Sequence, residues 1–478
     1  MIIPYLEHKV CAPAIISYEI APAITKAGGK AYIVGGWVRD RLLGIEESNS
    51  IDYDVEVFNI DTKDLKALLS KYGTVKECGA SFGVLKFRPH LQPLDNRVFE
   101  IDFSIPRRER KAGVGHTQFD IECDPTMTFE EAALRRDLTI NAIGLDVDSS
   151  DILDPYNGVQ DIKDKRIKHV SDRFAEDPLR VMRVAQFAAR FEFHVDESTI
   201  ELCRSLVEEM RSLPRERYWA EFKKLLLKSD YPSIGFTFLD RCGAISLFPE
   251  LEALKGVEQN PFWHPEGDVW VHTMMVINEA AKLRSGVEDR DIVLMLAALC
   301  HDLGKPITTI WKDDKWRSPG HEEEGEAPTR SFLAKLTNET KLIEEVVALV
   351  KDHLKPTIFY EAKSKMSAIR RLSLRVDIPT LVKVAQADQM GRTHWQSLAR
   401  DYPAGSWMMN KYKELKKEHS STGHGIERLL KGRHLIEIGV EPGPDMGKIL
   451  DKAFEAQLDG EFKDEIGAIN WASEHFDG

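Results

Sequence analysis

The feature that most constrains the fold of this chain is a glycine turn followed by two aspartates on one expected strand. Gly35 and Gly36 directly follow the apolar, strand-like residues 31–34. Asp52 and Asp54 lie two residues apart, so both carboxylates project from one face of a strand, about 7 Å apart along the chain. Backbone N–H groups at a glycine turn bind phosphate oxygens, and paired carboxylates bind Mg²⁺. The pattern predicts a site for magnesium and a nucleoside triphosphate.

A guanidinium follows the same turn. Arg39 lies within residues 35–40, which read Gly-Gly-Trp-Val-Arg-Asp, and its charged fork suits the same anion. An isolated Asp-x-Asp is usually a solvated strand edge or turn. An Asp-x-Asp that follows Gly-Gly-x-x-Arg-Asp is far rarer, and this order favours a catalytic site.

These segments resemble the class II tRNA nucleotidyltransferases and bacterial poly(A) polymerases, and further matches extend over roughly residues 31–260. Residues 99–107 occupy the place of that family's third-carboxylate strand, where Asp102 stands in for an acid that is usually Glu. The resemblance implies that Asp52, Asp54 and Asp102 are the catalytic carboxylates, with Mg²⁺ held by Asp52 and Asp54. It also implies phosphate contacts for Gly35, Gly36 and Arg39.

Two more segments match in order. Residues 135–142 read Arg-Arg-Asp-Leu-Thr-Ile-Asn-Ala and resemble the family segment that holds the ribose and triphosphate, which assigns Arg136 and Asp137 to the nucleotide. Residues 154–161 match the segment that links the catalytic head to the neck. Two adjacent arginines alone would be read as a solvated pair, but their place in this order favours a nucleotide site.

Residues 176–183 carry the base-reading chemistry that the resemblance implies. Asp177, Arg180 and Arg183 are three apart, which predicts that they lie near one face of a helix. The carboxylate can accept from an exocyclic amine while the neighbouring guanidinium donates to the adjacent ring nitrogen, a pattern that fits cytosine and adenine but not guanine or uracil. The resemblance implies that Asp177 and Arg180 act as an amino-acid template with Arg183 near the nucleotide. An ordinary intrahelical ion pair is the alternative.

Residues 213–226 are similar to the neck helix of the same family. Its basic side chains face either phosphate or solvent, and both readings stay open.

A second group of possible ligands lies in the C-terminal half. His301 and Asp302 follow the apolar residues 294–300 and precede Leu-Gly-Lys, a pattern that resembles the HD phosphohydrolase domain. The resemblance implies a core metal set and two residues for a second metal: His272, His301, Asp302 and Asp388, then His321 and His353. Such N/O ligation suits a divalent transition metal such as Ni, Mn or Co.

Charge and composition limit the partners. The 478 residues carry a formal charge of −13, which excludes a general nucleic-acid coat and leaves only local RNA contacts. The six cysteines include no Cys-x-x-Cys and are typical of reduced thiols. No apolar run reaches membrane-spanning length, so we expect a cytoplasmic enzyme with no membrane partner. The oligomeric state stays open.

The expected fold class is α+β: an N-terminal nucleotidyltransferase head with a mixed β-sheet and helices, followed by an all-helical neck, an HD-type body and a tail. The expected domains are residues 1–165, 166–258, 259–400 and 401–478.

The leading hypothesis is addition of C, C and A to tRNA from CTP and ATP, with an additional HD phosphohydrolase activity. A poly(A) polymerase would usually carry a Gly-Arg-Arg-Phe-like stretch, whereas residues 78–84 read Cys-Gly-Ala-Ser-Phe-Gly-Val. A partial CC- or A-adding enzyme is less favoured because residues 108–134 keep full length. A metal phosphohydrolase whose N-terminal half only binds RNA is the alternative of another class, and the intact Asp52 and Asp54 argue against it.

Overall fold

The computed structural model describes residues 16–45, 53–78, 83–90, 100–111, 119–394, 401–418 and 426–476. The chain forms two compact units. The first comprises residues 1–217 and 237–244, and the second comprises residues 218–236 and 245–478. The mixed sheet belongs to the first unit, and the regular structure in the described residues of the second is helical apart from one hairpin. The expected α+β fold class is therefore confirmed, while the finer division into four domains stays a prediction.

The first unit is built around a seven-stranded sheet with the strand order β3-β4-β5-β2-β1-β8-β9. Its strands in chain order are β1 (Lys30–Val34), β2 (Tyr53–Phe58), β3 (Gly73–Cys78), β4 (Val84–Pro89), β5 (Ile101–Ser104), β8 (Gly144–Asp146) and β9 (Ile152–Leu153). Strands β2 and β5 are parallel, and the other neighbours are antiparallel. The apolar residues 31–34 thus form the buried part of β1, as expected.

Three smaller pairs of strands complete the β-structure. They are β6 (Arg107–Lys111) with β7 (Phe119–Cys123), β10 (Arg166–Ile167) with β11 (His194–Val195), and β12 (Ile310–Lys312) with β13 (Lys315–Arg317). The first pair is an antiparallel hairpin that accounts for much of the long segment before residue 134.

The helices of the first unit are short, apart from a longer one near its end, and the first three lie against the main sheet. They are α1 (Ala21–Lys26), α2 (Gly36–Leu42), α3 (Thr62–Leu69), α4 (Phe129–Ala133), α5 (Gly158–Lys163), α6 (Arg180–Phe191), α7 (Glu197–Ser205) and α8 (Val207–Met210). Two further helices each contribute residues to both units: α9 (Arg215–Lys228) and α10 (Ser233–Arg241).

The second unit consists of a series of helices. They are α11 (Pro249–Glu252), α12 (Val269–Lys282), α13 (Glu288–Cys300), α14 (Lys305–Thr308), α15 (His321–Glu324), α16 (Glu326–Leu336), α17 (Thr340–Asp352), α18 (Lys355–Glu361), α19 (Met366–Ser373), α20 (Ile378–Met390), α21 (Pro403–Glu418), α22 (Gly432–Glu437), α23 (Pro444–Asp459) and α24 (Glu465–His475). Single turns of 3₁₀-helix lie at Thr139–Asn141, Asp172–Glu176 and Ala244–Leu247, and a π-helical turn at Ile16–Ile20.

Helices α12 and α13 show how the sequence sets the core of the second unit. The Asp268 side chain accepts from the backbone N–H of Val271 and so caps the start of α12. Every residue from 291 to 300 of α13 is buried, in keeping with its apolar sequence. The two helices pack together and against α20, which brings their polar residues into one interior.

None of the helices in the described ranges has both the length and the apolar character needed to cross a membrane.

Candidate active sites

Two carboxylates face each other across the central strands of the first unit. The parallel pairing of β2 and β5 places Asp54 directly opposite Asp102. Neighbouring strands lie about 4.8 Å apart, so these side chains share one surface. Asp54 is exposed, and Asp102 is partly exposed. Lys86, opposite Asp102 on β4, brings its ammonium to 3.5 Å from that carboxylate. Asp52 lies outside the described residues.

The glycine turn lies at the same end of the sheet. Val34 pairs with Asp54, and Gly35 follows Val34 directly. Gly35 has φ 75° and ψ −136°, a conformation that L side chains rarely adopt, so glycine is required there. A Cβ added to Gly35 would lie 3.5 Å from both Asp54 Oδ2 and Arg136 Nη1. Gly36 begins α2, so the turn brings a helix start, a carboxylate and a guanidinium together.

A buried carboxylate that the sequence analysis did not select holds the two adjacent arginines. Glu56 is 1 % exposed and shares a face of β2 with Asp54. Its oxygens accept from Arg135 Nη2 at 3.1 Å and from Arg136 Nη2 at 3.2 Å. Arg136 also donates from Nη1 to the carbonyl oxygen of Asn141. Glu56 therefore fixes the guanidinium of Arg136 beneath the glycine turn.

Arg39 lies in the interior, contrary to its simplest reading as an exposed fork for phosphate. It is 4 % exposed and donates to Asp40 Oδ1 and to Asn141 Oδ1. Its guanidinium carbon lies 4.9 Å from the ring centroids of both Phe187 and Phe191. Burial is the largest influence on its pKa and lowers it. In this position Arg39 joins α2 to α6, and contact with a phosphate would require it to leave these partners.

Asp137 forms a buried network with the predicted nucleotide residue Arg183. Its Oδ2 accepts from Arg183 Nε at 2.7 Å, and its Oδ1 accepts from Asn141 Nδ2 and from the backbone N–H of Leu138. Burial alone would raise the pKa of Asp137, but the Arg183 guanidinium and the hydrogen bond from Asn141 outweigh it, and the pKa lies below its ordinary value. Asp137 is therefore ionised, and its carboxylate holds the guanidinium of Arg183 in position.

The prediction that Asp177, Arg180 and Arg183 share one face of a helix is wrong for Asp177. Helix α6 begins at Arg180, and Asp177 is extended, with φ −134° and ψ 102°, because Pro178 follows it. The carboxylate of Asp177 pairs with Arg217, at 2.7 Å from Oδ2 to Nη2. Because Asp177 lies outside α6, its pair with Arg217 of the neck is not the intrahelical ion pair weighed as an alternative.

Two backbone carbonyl oxygens accept hydrogen bonds from the guanidinium of Arg180. Its Nη1 donates to the carbonyl oxygen of Arg173 and its Nη2 to that of Arg135, at 2.9 and 2.7 Å. The second contact links the start of α6 to the Arg-Arg-Asp segment.

Residues 154–161 stabilise the start of α5 and its contact with neighbouring segments. Asp154 accepts from the backbone N–H groups of Gly158 and Val159, and buried Asp161 accepts from Thr139 and Arg166. These contacts fix α5 next to the Arg-Arg-Asp segment.

The second unit brings all six predicted metal ligands together in two buried groups. The ligand atoms of each group lie within 4.8 Å of one another. The groups are His272, His301 and Asp388, and Asp302, His321 and His353. Asp302 lies between them, since its Oδ2 is 3.1 Å from His301 Nε2 and its Oδ1 is 3.3 Å from His321 Nε2.

The histidine tautomers fit a metal site. Nδ1 of His301, His321 and His353 each lies 2.7–2.9 Å from a backbone carbonyl oxygen, of Ala298, Ser318 and Val350 respectively. A carbonyl can only accept, so each Nδ1 carries the proton and each Nε2 presents a lone pair. Nδ1 of His272 lies 2.9 Å from the Glu266 carboxylate instead. This is the orientation that metal-ligating histidines adopt.

The inner atoms of the centre also fit a cation. Buried His301 Nε2 has no well-aligned hydrogen bond within the described ranges, and it faces Asp302 Oδ2, which also lies 2.6 Å from Lys305 Nζ. Burial lowers the pKa of His353 to about 3, with help from His321 and His301, so this ring is neutral at pH 7 as a ligand must be. Burial alone would lower the pKa of His301, but the neighbouring Asp302 carboxylate raises it above its ordinary value.

Three charged residues around the centre were missed by the sequence analysis. Glu266 is the acceptor for His272 and lies shortly after the expected domain boundary at residue 258. Arg392 donates to both oxygens of Asp388, and Lys305 Nζ lies 2.6 Å from Asp302 Oδ2. Lys305 belongs to the Leu-Gly-Lys run, so spacing could have flagged it. Glu266 could have been flagged because it stands six residues before His272.

The fold and the two sites define a nucleotidyltransferase head and an HD-type metal centre in one chain. Family models agree: "Poly A polymerase head domain" matches residues 31–168, "Probable RNA and SrmB- binding site of polymerase A" residues 192–255, and "HD domain" residues 269–390.

The chain is similar to curated bacterial proteins over most of its length. It is 33 % identical over 443 residues to a multifunctional CCA protein of Acinetobacter baylyi, covering 90 % of this chain and 99 % of the relative. It is 36 % identical over 394 residues to that of Pasteurella multocida, covering 80 % and 88 %. The chain therefore belongs to the multifunctional CCA protein family.

Solved structures share the fold. A Bacillus stearothermophilus CCA-adding enzyme in complex with CTP aligns with a TM-score of 0.65 at 19 % identity, over 97 % of this chain and 98 % of the other. A Thermotoga maritima CCA-adding enzyme complexed with tRNA aligns with a TM-score of 0.57 at 18 % identity, over 95 % and 93 %.

Proposed function

We propose that the first unit adds C, C and A to the 3′ end of tRNA, with CTP and ATP as substrates and no nucleic-acid template. The observation that carries this proposal is the in-register pair of Asp54 and Asp102 beside the Gly35 turn, in a chain of the multifunctional CCA protein family. Asp52 and Asp54 would hold Mg²⁺, with Asp102 beside them. When bound, magnesium offsets the charge of the triphosphate and stabilises its reacting phosphate. We expect the enzyme to act in the cytoplasm.

The chain's own residues bind and orient the nucleotide in this proposal. The N–H groups at Gly35 and Gly36 and the guanidinium of Arg136 contact the triphosphate. Asp177 and Arg180 read the base edge. Asp177 is at present held by Arg217, and Arg180 by two carbonyl oxygens, so an entering base exchanges these contacts for its own amine and ring nitrogen.

The test uses a tRNA transcript that lacks its 3′ end, incubated with CTP, with ATP and with both, and resolved at single-nucleotide length. We expect two C residues from CTP alone and one further A when both are present, after which addition stops. A long tail from ATP alone would instead identify a poly(A) polymerase. A product that stops at C with both nucleotides present would identify a partial enzyme.

We further propose that the second unit is a phosphohydrolase that uses a divalent transition metal such as Ni, Mn or Co. The supporting observation is the inward-facing Nε2 of His272, His301, His321 and His353 around Asp302 and Asp388. When bound, such a cation polarises a phosphoester and acidifies the attacking water. The target class is phosphomonoesters and 2′,3′-cyclic phosphates, since an RNA end blocked in this way lacks the 3′-hydroxyl that the first unit needs as nucleophile.

The test is the double variant His301→Ala, Asp302→Ala in the full chain. It should lose metal-dependent hydrolysis of a 2′,3′-cyclic phosphate while it adds CCA at a normal rate. A wild-type chain that binds no transition metal and hydrolyses no ester with manganese, cobalt or nickel supplied would overturn the proposal.

A further inference from the structure

Two lysines continue the line of catalytic carboxylates across the main sheet. The pairing of β3 with β4 places Lys76 directly opposite Lys86. The next pairings place Lys86 opposite Asp102 of β5, and Asp102 opposite Asp54 of β2. Directly opposed residues project from the same face of a sheet. The four side chains therefore form one row across four strands, with the lysines on the outer two.

A third cation lies on the same face. Arg88 is two residues beyond Lys86 on β4, so its side chain projects in the same direction. The side chains of Lys86 and Arg88 are 39 % and 51 % exposed, and Lys76 is also exposed. Lys86 and Arg88 share the single carboxylate of Glu100, at 2.6 and 3.0 Å. Like charges directly opposite each other destabilise a sheet, so the pair of Lys76 and Lys86 favours an anion against this face.

The other face of these strands belongs to the interior. Phe87 lies between Lys86 and Arg88 in the chain, points the other way and is fully buried. Helix α3 contacts β3, and its Lys66 pairs with Glu77, the residue after Lys76. The three cations are therefore on the solvent-facing side of the sheet together with the two carboxylates, and Lys66 approaches the opposite side.

The position of the cations relative to the glycine turn indicates which anion they contact. Gly35 and Arg136, proposed above to contact the triphosphate, lie beside Asp54 on the side of β1. The lysines lie on the other side of the carboxylates, beyond Asp102. In phosphoryl transfer the attacking and leaving oxygens are roughly in line, on opposite sides of the reacting phosphorus. Pyrophosphate that leaves toward the glycine turn therefore requires a 3′-hydroxyl that approaches from the side of the lysines.

We propose that Lys86, together with Lys76 and Arg88, binds the last phosphodiesters of the RNA strand and so positions its 3′-hydroxyl for attack. This proposal rests on the nucleotide addition proposed for the first unit. Phosphate contacts position a strand without reading its sequence. The same three cations therefore serve the RNA end before and after each nucleotide is added.

The first test measures RNA binding without turnover. Filter binding of a tRNA transcript that lacks its 3′ end is followed as a function of salt concentration, without nucleotides. Loss of one phosphate contact lowers the slope of log K against log salt by about 1, and we expect this decrease in Lys86→Ala and in Lys76→Ala. Lys66→Ala is the charge-matched control from the other face and should keep the wild-type slope. A wild-type slope in Lys86→Ala would overturn the proposal.

The second test locates the contact on the RNA. Replacing the last phosphodiester of the transcript by an uncharged methylphosphonate should raise KM for the RNA about tenfold in the wild type, the usual effect of losing one charge-assisted hydrogen bond. Lys86→Ala should raise this KM by the same factor with the normal linkage and show no further increase with the methylphosphonate, while KM for CTP stays unchanged. Independent, multiplying losses would overturn the contact.

The same pair of substrates separates this proposal from the function on which it rests. A wild-type chain that adds no C, but whose filter binding shows the same shared loss for Lys86→Ala and the methylphosphonate, would overturn nucleotide addition and support the phosphate contact. A chain that adds C, C and A normally with independent losses would support addition and overturn the contact.

Discussion

Asp54 and Asp102 lie directly opposite each other on the parallel strands β2 and β5. A parallel pair needs a crossover connection, and here β3 and β4 lie in the chain between the two strands and then add to the sheet beside β5. The two acids are therefore far apart in sequence yet fixed by backbone hydrogen bonds in a single register. Asp102 stands in the usual place of a Glu, and its shorter side chain still shares the surface of Asp54.

We expect Asp54→Asn and Asp102→Asn each to lower kcat for C addition at least about 100-fold while the affinity for tRNA stays within twofold, because the carboxylates act on the reacting phosphate and not on the RNA body. Primer extension and filter binding measure the two quantities. Glu77→Gln is the control, since Glu77 lies on β3 of the same sheet and forms an exposed pair with Lys66 of α3. Retention of normal kcat by Asp102→Asn would remove it from the catalytic set.

Glu56 supports the nucleotide site from beneath. Glu56→Gln removes the charge that compensates two guanidinium groups in a buried position, so we expect a loss of about 3 kcal/mol in the free energy of unfolding and a higher KM for both nucleotides. Urea unfolding and steady-state kinetics measure these effects. A variant with wild-type stability would mean that Arg135 and Arg136 find other partners.

Because Asp177 pairs with Arg217, we expect variants of the two residues to change the preference for C over U by different amounts. Asp177→Ala removes the acceptor for the exocyclic amine, so the preference for C over U should fall by about 1–3 kcal/mol. Arg217→Ala removes the arginine that holds that carboxylate, so it should weaken the same preference less. Single-nucleotide addition assays measure both, with Arg211→Ala, whose arginine pairs with exposed Glu208, as the control. Unchanged discrimination in Asp177→Ala would make the pair structural.

The network of Asp137 gives a pH dependence with a defined sign. Its pKa is lowered in the fold, so its contribution to stability is present above its unfolded value of about 3.9 and is lost as the pH falls through the lower folded value. We expect the difference in unfolding free energy between the wild type and Asp137→Asn to be constant from pH 5 to 7 and to narrow below about pH 4. A difference that widens on acidification would contradict the lowered pKa.

The order of short segments was enough to predict the family and the α+β class. The same spacing selected Gly35, Asp54 and the six HD residues, whose roles stay predictions. Arg39 was read differently because its burial depends on Phe187 and Phe191, which lie on another helix far along the chain. Glu56 was missed because only the folded sheet brings it to Arg135 and Arg136. Residues 79–82, which bear on the poly(A) alternative, and Asp52 lie outside the described residues.

Glu266 gives the sharpest test of the metal centre. Its carboxylate lies 2.9 Å from both His264 Nδ1 and His272 Nδ1, and it accepts from the backbone N–H of Thr393. Burial alone would raise the pKa of Glu266, but the hydrogen bonds with His264 and His272 lower it well below its ordinary value, so it accepts as an anion.

Glu266→Gln keeps the size of the side chain but weakens its hold on the His272 tautomer, so the affinity for Mn²⁺ or Ni²⁺ should fall about 10–100-fold while CCA addition is unaffected. Metal titration followed by calorimetry measures the affinity, and primer extension measures addition. Glu288→Gln, at an exposed pair with Lys223, is the control. If Glu266→Gln bound the metal as tightly as the wild type, His272 would not be a ligand oriented through its Nδ1. Loss of CCA addition as well would show that the two sites are not separable.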